Sequence, residues 1–180
     1  MALSKIDVAN MLTGATPVAN GGTGLTSGTT NQFLKFTGST TLASAADNAG
    51  KVLQVQSSTK TTESTTTNGS YVDTGLQVNI TPSSTSSKIL VVIGHGMNYT
   101  TSGTEAKFRL KRDNTQLTEY IVNLDGTGST GGSSIAYLDT PNTTSQVTYY
   151  DQFYRSSGSG TVYICPNNST ATITAMEISV

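Results

Sequence analysis

The sequence predicts an all-β chain, an antiparallel β-sandwich head of jelly-roll type behind an extended Gly/Ser/Thr-rich N-terminal stalk. Three observations predict it. Residues 13–48 are dominated by Gly, Ser, Thr, Asn and Ala around Pro17-Val-Ala-Asn-Gly-Gly-Thr-Gly24, whereas residues 50–180 read as strand after strand. The strand-like runs number eight or nine, recur at spacings of about 10–15 residues and have no helical pattern among them. Ser and Thr together make 55 of 180 residues, while charged residues make only 12%, about half of the usual ~25%. Two domains follow: a docking and stalk segment over 1–48 and a sandwich head over 49–180.

The elements come in this order. Ser4 can cap a short helix over 4–12, with Ile6, Ala9, Met11 and Leu12 on a loose apolar face. A helix this short needs a surface to lie on, and the alternative is a disordered terminus. Asn20-Gly-Gly-Thr-Gly24 is turn chemistry inside a linker. Gln32–Phe36 alternates briefly, as a small strand or an anchor, and 37–48 is linker again. In the head, strands are expected at Lys51–Gln56, Tyr71–Ile80 (a strand pair or one bulged strand) and Lys88–Ile93. Further strands are expected at Ala106–Lys111, Gln116–Val122, Ile135–Asp139, Ser145–Tyr154, Thr161–Cys165 and Ala171–Val180. Arg112-Asp-Asn-Thr115 marks a hairpin. Residues 57–70 read as a Ser/Thr loop and 124–133 as a Gly-rich loop. Lys88–Ile93, the most apolar run, is expected to be the central buried strand. Leu90, Val92, Phe108, Leu110 and Ile173 are expected in the core. Lys107, Arg109 and Lys111 alternate with Phe108 and Leu110, which gives one solvated and one buried face.

Composition excludes several function classes. Net charge is −1 with no basic patch, so no nucleic acid or anionic membrane is implied. No segment reaches the ~20 apolar residues of a membrane span. The first residues lack the basic start and apolar run of a signal peptide, so cytoplasmic synthesis is expected. Hydrophobic content of 34% allows only a thin core, which oligomerisation would support. Cys165 is the single cysteine; it allows no intrachain disulfide and reads as a buried free thiol.

Candidate chemistry is sparse. Gly126-Thr-Gly-Ser-Thr-Gly131 matches a dinucleotide fingerprint by letter, but the helix that would hold a pyrophosphate is missing. His95, the one histidine, has no second His or Cys nearby for a metal and reads as structural. The carboxylates are scattered singly, Asp113 and Asp139 reading as turn residues. No catalytic residue, metal site or cofactor is expected. Adjacent Tyr149 and Tyr150 must point to opposite faces of a strand. Exposed Tyr among Ser, Asn and Gly is also how contact loops are built. Asp125, Ser129, Tyr150 and Ser157 are accordingly the candidate contacts for a glycan, through loops 124–133 and 156–160.

Several phrases carry a family resemblance. Pro17–Gly24 resembles the Gly-Gly-Thr-Gly segment of bacteriophage tail-fibre and other virion-fibre proteins, and Ala46-Asp-Asn-Ala-Gly-Lys-Val-Leu-Gln54 is similar to their linking phrase. The stretch from Tyr71 to Val91 resembles the opening of a head domain in phage structural proteins. Tyr137-Leu-Asp-Thr-Pro-Asn-Thr-Thr144 and Ile173-Thr-Ala-Met-Glu-Ile178 fit the same pattern. The resemblance implies a homotrimer whose head is similar to tumour-necrosis-factor-like jelly rolls, and it carries no catalytic residues. At 180 residues the chain lacks a long shaft, which favours a short tail fibre or a capsid fibre. The expected role is a non-enzymatic virion protein, assembled in the host cytoplasm. Leu3, Ile6, Met11 and Leu12 would dock it to other capsid or tail proteins. The alternative is an adhesin that binds host-surface glycan, and an enzyme such as a depolymerase is the weakest reading.

Overall fold

In the computed structural model, residues 29–30, 32–38, 41–45, 50–123, 128 and 130–180 are described. The chain divides between Asn48 and Ala49 into two units. In the first, β1 (Phe33–Phe36) and β2 (Leu42–Ala45) form an antiparallel hairpin. Ser44 Oγ donates to Gln32 Oε1 at 2.8 Å across it. The expected helix over 4–12 and its residues Leu3, Ile6, Met11 and Leu12 lie outside the described residues.

The second unit is all-β. Its strands are β3 (Val52–Lys60), β4 (Ser64–Thr66), β5 (Val72–Ile80), β6 (Lys88–Tyr99), β7 (Glu105–Arg112) and β8 (Thr115–Asn123), followed by β9 (Thr130–Asp139), β10 (Val147–Ser157), β11 (Val162–Ile164) and β12 (Ala171–Ile178). Every pairing is antiparallel. One sheet runs β5-β10-β7-β8; the other runs β3-β12-β6, with β9 on the far side of β6 and the short β11 and β4 continuing past β12. Only the β7–β8 hairpin joins two consecutive long strands within one sheet. Each other step between long strands crosses to the opposite sheet, so the chain wraps an antiparallel β-sandwich.

The core lies between the sheets. Alternation aims Leu76, Val78 and Ile80 of β5, Phe108 and Leu110 of β7, Tyr149 and Phe153 of β10, and Ile173 and Ala175 of β12 inward, all buried. Phe108 stacks between Tyr120 and Phe153, with ring centroids 5.2 and 5.9 Å away. Lys107, Arg109 and Lys111 take the outer face, as alternation predicts.

Four expectations are corrected. Leu90 and Val92 are not core residues: Ile89, Val91 and Ile93 are fully buried, and Leu90 and Val92 point outward. A run of five apolar residues, Ile89–Ile93, has no phase of its own. The phase comes from its continuation, where His95, Met97 and Tyr99 are buried on the Ile93 side. The Ser/Thr stretch after Gln56 is not a loop, because backbone pairing with β12 extends β3 to Lys60, and β4 pairs with β11. Strand β9 starts at Thr130, inside the expected Gly-rich loop, because Gly131 and Gly132 pair with Met97 and Gly96. Asp139 is no turn residue: it is buried at the end of β9 and accepts from Arg112 Nη1 and Tyr149 Oη, both at 2.6 Å.

Other expectations hold. Tyr71–Ile80 is one bulged strand, not a pair. Asp113 turns the β7–β8 hairpin at φ 48°, and its carboxylate accepts from Thr148 N. Cys165 is buried and free; burial pushes its thiol pKa up.

The phase of β6 is open to direct test. Val91→Thr places a hydroxyl in the core and is expected to destabilise the head by roughly 1–3 kcal/mol. The neighbouring Val92→Thr is expected to change it by less than about 0.5 kcal/mol. Urea unfolding that returned equal losses would show the assigned phase to be wrong.

Candidate functional site

Three places in the head concentrate polar chemistry or unusual exposure: a bulge between β5 and β10, the outer face of the six-stranded sheet, and a carboxylate clamp at Glu177. At the bulge, Gln77 pairs with Tyr150 and Asp73 with Gln152, which leaves Thr74, Gly75 and Leu76 standing against Asp151 alone. The surplus residues need a backbone that only glycine supplies readily, and Gly75 has φ +82°. On the inner side, Thr74 Oγ1 lies 2.5 Å from Asp151 Oδ1 and 3.1 Å from the Asp151 carbonyl, and it accepts from Leu76 N at 3.1 Å. His95 Nε2 of the opposite sheet lies 3.3 Å from Asp151 Oδ2, with both side chains fully buried. That distance is within ion-pair reach, but the two are not aligned as a hydrogen bond. The His95 ring rests on Phe108, centroids 4.8 Å apart.

On the outer side the bulge opens a groove of about 240 Å³, lined by Asp73, Gly75, Gln77, Thr148, Tyr150 and Gln152 with the backbone of Leu76 and Asp151. Its rim is held rigidly. Gln152 Nε2 donates to Asp73 Oδ1 at 2.6 Å, and Arg109 Nε donates to Gln152 Oε1 at 2.7 Å. Tyr150 Oη donates to the Asp113 carbonyl at 2.9 Å. The Arg109 guanidinium lies 3.9 Å over the Tyr71 ring.

The outer face of the other sheet is different in kind. Val55, Met176, Leu90 and Leu138 stand in one row across β3, β12, β6 and β9. Val52 and Leu53 extend it at the β3 bulge, and in the next row Val92 and Ala136 stand beside the hydroxyls of Thr174 and Ser57. Val55 is 54% exposed and Leu138 51%. Lys88 is the one charged side chain that the strands of this face point outward among the described residues. The flanking strands β3 and β9 are the sheet's edges. From Thr130 to Leu138 β9 carries neither charge nor proline, the usual protections of an exposed edge.

Glu177 closes one end of the sandwich. It is fully buried, and its carboxylate accepts from Ser83 N (2.7 Å), Ser83 Oγ and Gln54 Nε2 (both 2.6 Å). Burial alone would raise its pKa. The hydrogen bonds from Ser83, Gln54 and Ser87 outweigh that and hold it at about 2.

Of the residues expected to touch a glycan, Tyr150 lies in the groove rim. Ser157 is exposed at the far end of β10, roughly 23 Å along the strand at ~3.3 Å per residue, and the structure does not bring the two together. Asp125 and Ser129 lie outside the described residues. Sequence reasoning missed Asp73, Gln77, Thr148 and Gln152; the signal was a glycine inside an alternating run, the mark of a bulge. No cluster of three or more His, Cys, Asp or Glu among the described residues is placed to hold a metal. No described helix is long and apolar enough to cross a membrane.

No family model and no curated protein matches the chain. Among solved structures it is similar to that of infectious bursal disease virus Gx strain, at 13% identity and a TM-score of 0.38, covering 80% of this chain and 40% of that one. It is also similar to the infectious bursal disease virus VP2 subviral particle, at 13% identity and a TM-score of 0.36, covering 80% and 45%. The chain spans less than half the length of either match, and a likeness so distant says nothing of function.

Two results are expected from these sites. Thr74→Val removes the hydroxyl that ties the bulge and leaves a buried carboxylate short of a partner, so the head loses roughly 1–3 kcal/mol in urea unfolding; a neutral outcome would mean that the bulge holds without it. The folded pKa of Glu177 is depressed from 4.5 to about 2. Its contribution is therefore complete above 4.5 and is lost as pH falls towards 2. The stability gap between wild type and Glu177→Gln should narrow across that window, and a gap independent of pH would refute the assignment.

Proposed function

We propose that the chain is a non-enzymatic structural subunit of a virus particle, a short fibre whose sandwich head is displayed as a homotrimer. The observation that carries this reading is the charge-poor apolar face of the six-stranded sheet, with the edge strand β9 uncharged from Thr130 to Leu138. A monomer would leave that face in water and the β9 edge open to indiscriminate pairing. A second copy of the chain is the occupant that fits. With one outward lysine, the face offers a charged partner almost nothing to read, and its own copies meet little like-charge repulsion. The thin core expected from 34% hydrophobic content gains from burial between copies.

The strand order supports the jelly-roll reading of the head. Counting the eight long strands from β3, the sheets run 1-8-3-6 and 2-7-4-5, two interleaved Greek keys. The virion-fibre resemblance of the linking phrases supports a stalk over 1–48 and attachment to capsid or tail proteins through Leu3, Ile6, Met11 and Leu12. Fibre, virion and bacteriophage rest on those phrases. Trimerisation rests on them and on the apolar face.

The solution mass of the full chain is expected at three times the 18.7 kDa of one chain, at micromolar concentration. Leu138→Asp and Met176→Asp are expected to give monomers with unchanged β-sheet circular dichroism. A wild-type monomer would defeat the reading. Trimeric variants would move the interface elsewhere, and a head-only protein starting at Ala49 that remained trimeric would assign assembly to the head.

A further inference from the structure

We propose that the groove over Gly75, on the outer face of the β5–β10 pair, is a binding subsite for one neutral sugar residue of a glycan. The inference goes beyond self-association, because the groove and the apolar face lie on opposite sheets and neither needs the other.

Shape comes first. The groove is a consequence of the bulge: three residues of β5 against one of β10 break the regular row of outward side chains, and Gly75 contributes only backbone there, with the Lys60 side chain lying where its Cβ would point. Its volume of about 240 Å³ lies below the ~300–1,000 Å³ of drug-sized pockets, which suits a single small ring. It is built on strands, and its rim residues are pinned in place by Arg109, Asp73 and Asp113. Little side-chain freedom is left to lose on binding.

Chemistry comes second. Among the described residues, the Gln77 amide, the Thr148 hydroxyl and Asp73 Oδ2 take no protein partner. Gln152 and Asp73 meanwhile support each other through one bond. An amide and a hydroxyl that both donate and accept, beside a carboxylate oxygen that accepts, match adjacent sugar hydroxyls. The Tyr150 ring borders the groove, approached by Lys111 Nζ at 5.4 Å from the β7 side, and offers an apolar wall to a sugar's C–H face. The free carboxylate oxygen of Asp73 disfavours an acidic sugar, and the neighbouring cations are engaged: Lys60, whose side chain lies against Gly75, donates to the Thr62 carbonyl and Ser64 Oγ, Lys111 lies over the Tyr150 ring, and Arg109 holds Gln152, Gln116 and the Tyr71 ring.

The test is a nitrogen-15 NMR titration of the full chain. The probes are methyl glycosides of glucose, galactose, mannose and N-acetylglucosamine, with glucuronic acid and N-acetylneuraminic acid as anionic counterparts. At least one neutral glycoside is expected to bind with millimolar affinity and to shift the Gly75 and Leu76 amides and the Gln77 and Gln152 side-chain amides. Gln77→Ala removes an exposed side chain without a partner, so the fold survives, and it should weaken binding about tenfold or more. Tyr150→Phe keeps the ring but frees it from Asp113, so it should weaken binding less than Gln77→Ala does, whereas Asn79→Ala, further along the same face, should change nothing. The proposal is overturned if no neutral glycoside shifts these signals up to about 50 mM, an order of magnitude past the expected affinity. It is equally overturned if Gln77→Ala binds like wild type or if the anionic sugars bind as well. Failure here leaves the oligomeric mass untouched, so it is distinguishable from failure of the structural reading.

Discussion

Thr74, Gly75 and Leu76 of β5 stand opposite Asp151 of β10, and this local mismatch governs much of the head. A buried carboxylate is expensive unless it is paired. Asp151 is accepted in the core because the bulge swings the Thr74 hydroxyl onto it and because His95 reaches it from the facing sheet. The same displacement brings the Gly75 backbone to the outside, with the Lys60 side chain against it, where the groove opens. One backbone irregularity thus joins the two sheets through polar contacts on its inner side and shapes a groove on its outer side.

The two outer faces differ in chemistry. The β5-β10-β7-β8 face is polar and aromatic, its side chains cross-linked by Arg109, Gln152 and Asp73. Such a face is compatible with water and with a hydroxyl-rich ligand. The β3-β12-β6-β9 face carries one row that is apolar across four strands and is nearly uncharged, with hydroxyls in the rows beyond; water does not favour the apolar row. A subunit that packs copies of itself through one sheet keeps the other free for display. Several copies would also multiply a weak subsite into useful avidity.

The carboxylates show how position redefines a residue. Asp113 does what a turn aspartate does, accepting from a backbone N–H. Asp139, read by the same rule, instead sits buried under Arg112 and Tyr149, because the chain that follows folds β10 back over it. Its partners lie 27 and 10 residues away, distances at which local turn rules are silent. Glu177 is a third case: alternation placed it on the buried face with Ile173 and Ala175, and the loop after β5 supplies the donors that keep it ionised there.

By itself the sequence determined the all-β class, nearly every strand, the β7–β8 turn, the buried free cysteine and the inner faces of β7 and β12. Each of these depends on period-two alternation or on turn chemistry, which neighbouring residues carry. The tertiary structure alone decided the rest. It chose which half of Lys88–Ile93 faces inward, turned Ser/Thr-rich chain into the end of β3 and into β4, and started β9 among glycines. It also assembled Asp73, Gln77, Thr148, Tyr150 and Gln152 around one groove. The reason is the same throughout. A run apolar on both sides, or polar on both sides, contains no phase, and backbone hydrogen bonds to a strand distant in sequence supply it.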